Sequence, residues 1–305
     1  FSIANAFNPS STLIPYNRSG GITSAVVIPS SARSIYSGMA SVFKLDGELV
    51  TDSIAKDIAM AVSFGAGSDS RASQILMLED SFEKVLRFKD SREQYSLLAD
   101  FDYDDYTIRD LEAILRVLNK EIPLIVRSNR AKDLLRMISL SNKYGIKIIF
   151  YGAKEGWRIA DVLAREGIPV ILDPMDNIPD SFDAIAARMD NAALLNAAGV
   201  KILITSQSTH NSYLSRQGAG NAAAYGLPQD EALKALTINV ADVFGLSKDR
   251  GSIEVGKSAD LVIWDGNPLE VSSFATAVMI EGHSISLMSR SKRLRDKYLV
   301  TLGLK

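Results

Sequence analysis

The sequence predicts an α/β fold built on a parallel sheet, and two observations carry that reading. Six short runs, at 22–29 (ITSAVVIP), 58–64 (IAMAVSF), 122–127 (IPLIVR), 146–151 (IKIIFY), 168–173 (IPVILD) and 200–205 (VKILIT), are near-continuously apolar, as expected of strands covered on both faces. Three helical patterns between them stop at a glycine just before the next strand: Gly145, Gly167 and Gly199. Glycine takes the left-handed position that closes a helix without a Cβ penalty. Strand, helix and strand in repetition mean parallel strands, in an open sheet or a closed barrel. A closed eight-stranded barrel needs two strands more than these six runs supply.

The elements follow in order. The stretch 107–120 reads as a helix, with Leu111, Ile114, Leu115 and Leu118 on one face. Its acids (Asp110, Glu112) come early and its bases (Arg116, Lys120) late, complementing the helix dipole. Helices are expected over 131–144, 159–166 and 182–198, each closed by glycine, and over 229–244. Beyond them the character changes. Gly256-Lys257 makes a turn, 259–264 reads as a strand, and Asp265-Gly-Asn-Pro268 is a strong turn signal. A further strand at 275–280 meets the turn Glu281-Gly282-His283, and a basic helical end follows (Arg290, Lys292, Arg293, Arg295, Lys297), read as a solvated face. The chain thus divides into an α/β body over 1–250, a small β unit over 251–288 and a tail over 289–305.

Composition narrows the function. With 34 Lys and Arg against 36 Asp and Glu in 305 residues, the net charge is -2, and no basic excess exists to bind a phosphate backbone. No apolar run approaches the roughly 18 residues that span a bilayer. Cysteine is absent, which removes disulfides, thiolate ligands and a cysteine nucleophile together. Only two histidines occur, His210 and His283, so this chain cannot supply three imidazoles to one ion. It opens on Phe1 in what reads as mid-domain sequence, so processing or loss of an N-terminal segment is expected. Gly218-Ala-Gly220-Asn-Ala-Ala223 satisfies a dinucleotide pattern on paper, but it follows a polar loop rather than a strand and reads as helix. Gly65-Ala-Gly67 lacks the Lys-Ser/Thr of a phosphate loop, and the acidic run at 100–105 (DFDYDD) lacks the glycine and terminal glutamate of a calcium loop.

Two runs carry a family resemblance. ALKALTINVADVFGL at 232–246 and GSIEVGKSADLVIWDGNPLE at 251–270 resemble the C-terminal signature of the amidohydrolase superfamily, imidazolonepropionase-like branch. The matching positions are Ala232, Leu233, Ala235, Leu236, Thr237, Asn239, Ala241 and Gly245, then Gly251, Ile253, Gly256, Lys257, Ala259, Asp260, Leu261, Val262, Asp265 and Pro268. The opening segment at 6–30 resembles the region after that family's first barrel strand. The resemblance implies a distorted (β/α)8 barrel of the TIM type beside a small β-sandwich. It places the first strand before Phe1 and one further strand within 82–105.

The resemblance also implies metal-assisted hydrolysis of C–N bonds (amide, cyclic amide or dipeptide-like). One or two divalent ions, zinc among them, would be held at the C-terminal ends of the strands by histidines and an aspartate. Here those positions carry other residues. The fifth strand offers Arg127 or Ser128, the sixth Tyr151, Gly152 or Ala153, and the eighth Ser206 or Gln207. A protonated guanidinium cannot ligate a metal, and hydroxyls and neutral amides are poor zinc ligands. No metal ligand is therefore assigned.

The remaining polar residues of the mouth keep two readings each. Asp173 is an acid/base or a turn residue; His210 is a general base or a loop histidine bonding backbone; Arg127 clamps a carboxylate or phosphate, or pairs with a neighbouring acid. Gln207 and Ser208 complete the candidate ligand-binding set, while His283 reads as structural. Two functions follow: a C–N hydrolase with a reduced site, or a non-catalytic scaffold that binds a small ligand or pairs with a second copy or an active paralogue.

Overall fold

The computed structural model describes residues 1–30, 34–49, 53–65, 70–90, 106–206 and 208–304. Seven strands lie side by side in sequence order: β1 (Ser24–Val27), β2 (Tyr36–Lys44), β3 (Ala55–Ser63), β4 (Leu124–Ser128), β5 (Ile148–Gly152), β6 (Val170–Leu172) and β7 (Ile202–Ile204). Strands β3 to β7 pair in parallel, and β2 runs antiparallel to both β1 and β3. The two-residue period of a strand sorts the sheet into two cores. Met60, Val62, Leu124, Val126, Ile148, Phe150, Val170 and Leu172 pack with the helices on one face. Ala59, Ala61, Ile125, Ile149, Ile171 and Leu203 gather on the other with Phe244. Both faces are covered, which is why the strand runs are apolar throughout.

The second face is concave. The Arg127 side chain on β4 donates from Nη2 to the Pro29 carbonyl, just past β1, at 3.3 Å. Three strand spacings amount to about 14 Å across a flat sheet, more than an arginine can reach, so the sheet curls.

Helix α1 (Leu13–Arg18) precedes the sheet, and α2 (Arg71–Asp90), α3 (Ile108–Leu118), α4 (Ala131–Tyr144), α5 (Ala160–Arg165), α6 (Asn191–Ala197) and α7 (Ser215–Ala224) connect or follow its strands. Thr107 and Asp110 form a reciprocal capping box at the start of α3. Gly145, Gly167 and Gly199 close the helices before β5, β6 and β7 at φ of 65°, 63° and 90°.

Several expectations need correction. Of the range 82–105 in which a strand is expected, 82–90 is helix, and β3 pairs directly with β4; residues 91–105, with the acidic run at 100–105, lie outside those described. Strand β2 is an addition. Its small residues, Gly38, Ala40 and Ser41, hide it from an apolar-run pattern, and register shifts mark a bulge on either side. The helix expected over 182–198 is confined to α6. Upstream, Glu155 accepts from the Ala186 amide (3.0 Å) and Trp157 Nε1 donates to the Ala186 carbonyl (2.7 Å), so backbone groups are taken by side chains instead of a helix.

The helix expected over 229–244 is two, α8 (Gln229–Lys234) and α9 (Ile238–Val243). The break serves β7. The Ile204 amide donates to the Ala235 carbonyl (3.0 Å) and Asn239 Nδ2 to the Ile202 carbonyl (3.0 Å), covering the outer edge of the sheet. The glycines at 218 and 220 lie inside α7, where Gly218 sits against Pro174 and a Cβ on Gly220 would strike the Leu269 backbone.

The C-terminal unit is a three-stranded antiparallel sheet, β8 (Leu261–Trp264), β9 (Ala275–Ile280) and β10 (His283–Ile285), followed by α10 (Arg290–Thr301). Glu281 and Gly282, both at positive φ, make the tight turn between β9 and β10. Trp264 packs on Gly21 and lies under Arg216 at 4.8 Å, docking the unit on the body. Asp260 of the family-like run pairs with Arg250 (2.8 Å) and accepts from the Glu281 amide (2.9 Å), so that run acts by holding the unit together.

Candidate functional site

Alternation along the strands decides which side chains reach the concave mouth. Below it, Ile125 and Ile149 face the concave core; two residues on come Arg127 and Tyr151, paired in register on β4 and β5. The guanidinium stacks on the tyrosine, Cζ to ring centroid 4.1 Å. Among the described residues its one hydrogen bond is the 3.3 Å contact to Pro29, and no carboxylate lies within ion-pair distance of it. Asp173 continues β6 in extended conformation on the same face, two residues beyond Ile171, the partner of Tyr151. Two strand spacings, about 10 Å, separate it laterally from Arg127. Its carboxylate also accepts from the Met175 amide at 3.0 Å, capping the turn Pro174–Asp176.

After β7 the chain enters the helical turn Thr209–Leu214, preceded by Ser208, which is half-buried and makes no capping bond. His210 on that turn is exposed, and Gln207 lies outside the described residues. Helix α1 holds the turn in place. Buried Asn17 donates to the Thr209 carbonyl (3.2 Å) and accepts from the Tyr213 amide (2.9 Å), and the Tyr16 and Tyr213 rings meet edge to face at 5.2 Å. His283 begins β10 in the other sheet.

The loops around the mouth are fixed by buried charge. The Lys154 ammonium, after β5, bridges Asp176 (2.9 Å) and Asp180 (2.8 Å) after β6. Burial opposes its charge, but the hydrogen-bonded pairs with Asp180 and Asp176 outweigh it and hold its pKa above the ordinary lysine value. Glu155 is buried too; its carboxylate accepts from the Ala131 amide at the start of α4 and from Ala186, both at 3.0 Å. Arg71 joins Asp133 (2.7 Å) to Asp183 (2.5 Å).

The residues present do not fit a catalytic zinc. Among the described residues no three His, Cys, Asp or Glu side chains converge to hold an ion. A fixed guanidinium and a phenol occupy strand ends where imidazoles would be needed, and the arginine brings positive charge to the place of the cation. Tyr151 and the Lys154–Glu155 pair belong to this site although sequence reasoning does not single them out for binding. The signal for Tyr151 is its matching position to Arg127, at the end of the next strand. A separate cleft of about 550 Å³ opens at the opposite, N-terminal ends of β3 to β6, lined by Ile58, Pro123, Lys147, Pro169 and Phe244 among others. It shares no residue with the mouth. No helix among the described residues is long and apolar enough to cross a membrane.

Comparison with known proteins fits this geometry. The amidohydrolase family model matches residues 129–286, just over half of the chain. An amidohydrolase of Hapsidospora irregularis, tasK, is 28% identical over 302 residues, covering 87% of this chain and 30% of its own length. An imidazolonepropionase of Sphingopyxis alaskensis is 51% identical over 51 residues, 16% of this chain and 13% of that protein. The chain therefore spans under a third of the length of these curated relatives. The crystal structure of an amidohydrolase from Thermotoga maritima superimposes with a TM-score of 0.80 at 28% identity, covering 93% of this chain and 76% of that one. The chain belongs to the amidohydrolase family, in its imidazolonepropionase-like branch.

Proposed function

We propose that this chain is an amidohydrolase scaffold that holds a small molecule at the concave mouth without a catalytic metal. One observation carries the reading: Arg127 stacked on Tyr151 at the ends of β4 and β5, in place of metal-binding imidazoles. Arg127 is then the ligand-holding residue. Asp173 and Ser208 line the same mouth with Gln207 beside them in sequence, and exposed His210 lies at the rim. In this reading the curled sheet is an arc of a distorted (β/α)8 barrel, 251–288 contributes to a β-sandwich, and 289–305 is a tail. Family membership favours a second reading, hydrolysis of a C–N bond with a zinc ion, in which Asp173 or His210 moves the proton.

Metal content and turnover decide between them. Protein purified without chelators is expected to carry well under one zinc per chain and to show no zinc-dependent cleavage of amides or cyclic amides. One or more tightly held zinc ions per chain overturns the proposal.

A further inference from the structure

We propose that the cleft at the N-terminal ends of β3 to β6 is a second small-molecule site, for an amphipathic anion: a ring-bearing apolar body carrying one negative group. It lies at the pole opposite the mouth, shares no residue with it, and is independent of what the mouth holds. Its volume of about 550 Å³ is that of a small-molecule pocket. The floor is apolar, formed by Ile58, Pro123, Ile149, Pro169 and Phe244. The two prolines add little polarity, since neither has an N–H and their carbonyls already accept from the Met60 amide (3.1 Å) and the Phe150 amide (3.0 Å). A ligand therefore meets hydrocarbon at the floor and polar partners in the side chains of the rim.

Those side chains leave one sign of charge unmet. Of the acids, Glu121 accepts from Asn119 (3.2 Å) and lies 3.7 Å from Arg116, Glu166 lies 3.7 Å from Arg165, and Asp242 pairs with Lys201 (2.9 Å). Lys120 and Lys147, also in the lining, have no ion-pair partner among the described residues. Lys147 precedes Ile149 by two residues, which puts it on the concave side at the start of β5. The Lys120 Nζ lies 3.4 Å from where a Cβ on Gly145 would stand, so it reaches the loop that carries Lys147.

The backbone points the same way. The helices before β5, β6 and β7 close on glycine, whereas α3, before β4, closes on Lys120 at φ 63°. That left-handed conformation strains an L side chain and costs glycine nothing. At this place the chain keeps an ammonium beside the cleft instead of the residue its backbone favours. Two ammonium groups on adjacent loops then attract one anionic group, and burial of the apolar body against the floor holds the rest.

The test titrates the intact chain with naphthalene-2-sulfonate and 2-naphthoate, then with neutral naphthalene-2-methanol and with acetate, at constant ionic strength, reading heat of binding and thermal stability. Both naphthyl anions should bind saturably, and the neutral alcohol and acetate at least about tenfold more weakly. Lys147→Gln and Lys120→Gly should each weaken naphthyl-anion binding at least about threefold, and together about tenfold. Without ligand, Lys120→Gly should melt at or above the wild-type temperature, because it relieves the left-handed lysine. A chain no less stable that binds less well is a result that a merely structural Lys120 would not give. The proposal is overturned if neither naphthyl anion binds, if the double variant binds them like wild type, if the neutral alcohol or acetate binds as tightly, or if Lys120→Gly melts below wild type.

Discussion

Asn17 does with one side chain what the loop after β7 cannot do for itself. Its amide ties the Leu13 carbonyl within α1 to the Thr209 carbonyl and the Tyr213 amide, and it is buried. Asn17→Ala leaves the Tyr213 amide without its acceptor and takes one donor from the Thr209 carbonyl, which keeps the Ser212 hydroxyl, so it should cost about 1–3 kcal/mol in urea denaturation and loosen the turn that carries His210. Lys154 gives a pH signature. Its folded pKa stands above the ordinary value of 10.5, so its contribution is whole below that pH and declines as pH rises through the raised value. Asp180 has the opposite sign: the bond from Lys154 holds its carboxyl below 3.8, and its contribution is present above that pH and lost as pH falls through the depressed value. Lys154→Met should therefore flatten the alkaline loss of stability seen in urea midpoints between about pH 9 and about pH 12. An unchanged alkaline slope would show that the bridge to the β6 loop is immaterial.

At the scale of elements, glycine punctuation is where sequence and structure agree most closely. Helix α4 ends at Gly145 in the left-handed region, φ 65°. Gly145→Ala should cost about 1 kcal/mol, read as a lowered midpoint with an unchanged denaturant slope. Gly167 and Gly199 do the same work, so the helix–strand units are legible one by one. Strand β2 escapes the pattern because Gly38, Ala40 and Ser41 have little intrinsic strand preference; its pairing with β1 and β3 makes it a strand. The helices over 229–244 look continuous because their break at Thr237 answers a need elsewhere, the open edge of β7, which no local pattern records.

For the whole molecule, the family-like C-terminal runs are legible because their residues hold a fold together: Asp260 on Arg250, and Gly251 against Ala241 and Ile238. The site is only half legible. The place of Arg127 at a strand end can be read directly, since the apolar run before it marks the strand. The stacking of Arg127 on Tyr151, its reach to Pro29 and the Lys154 bridge depend on strand register and on curl, which arise only when the sheet assembles. The most direct measurement is diffraction at the zinc absorption edge from crystals of the chain grown with excess zinc. The expected result is no anomalous peak on the concave face between Arg127, Tyr151 and Asp173. A zinc ion there, held by three or more side chains with the guanidinium displaced, would contradict the assignment.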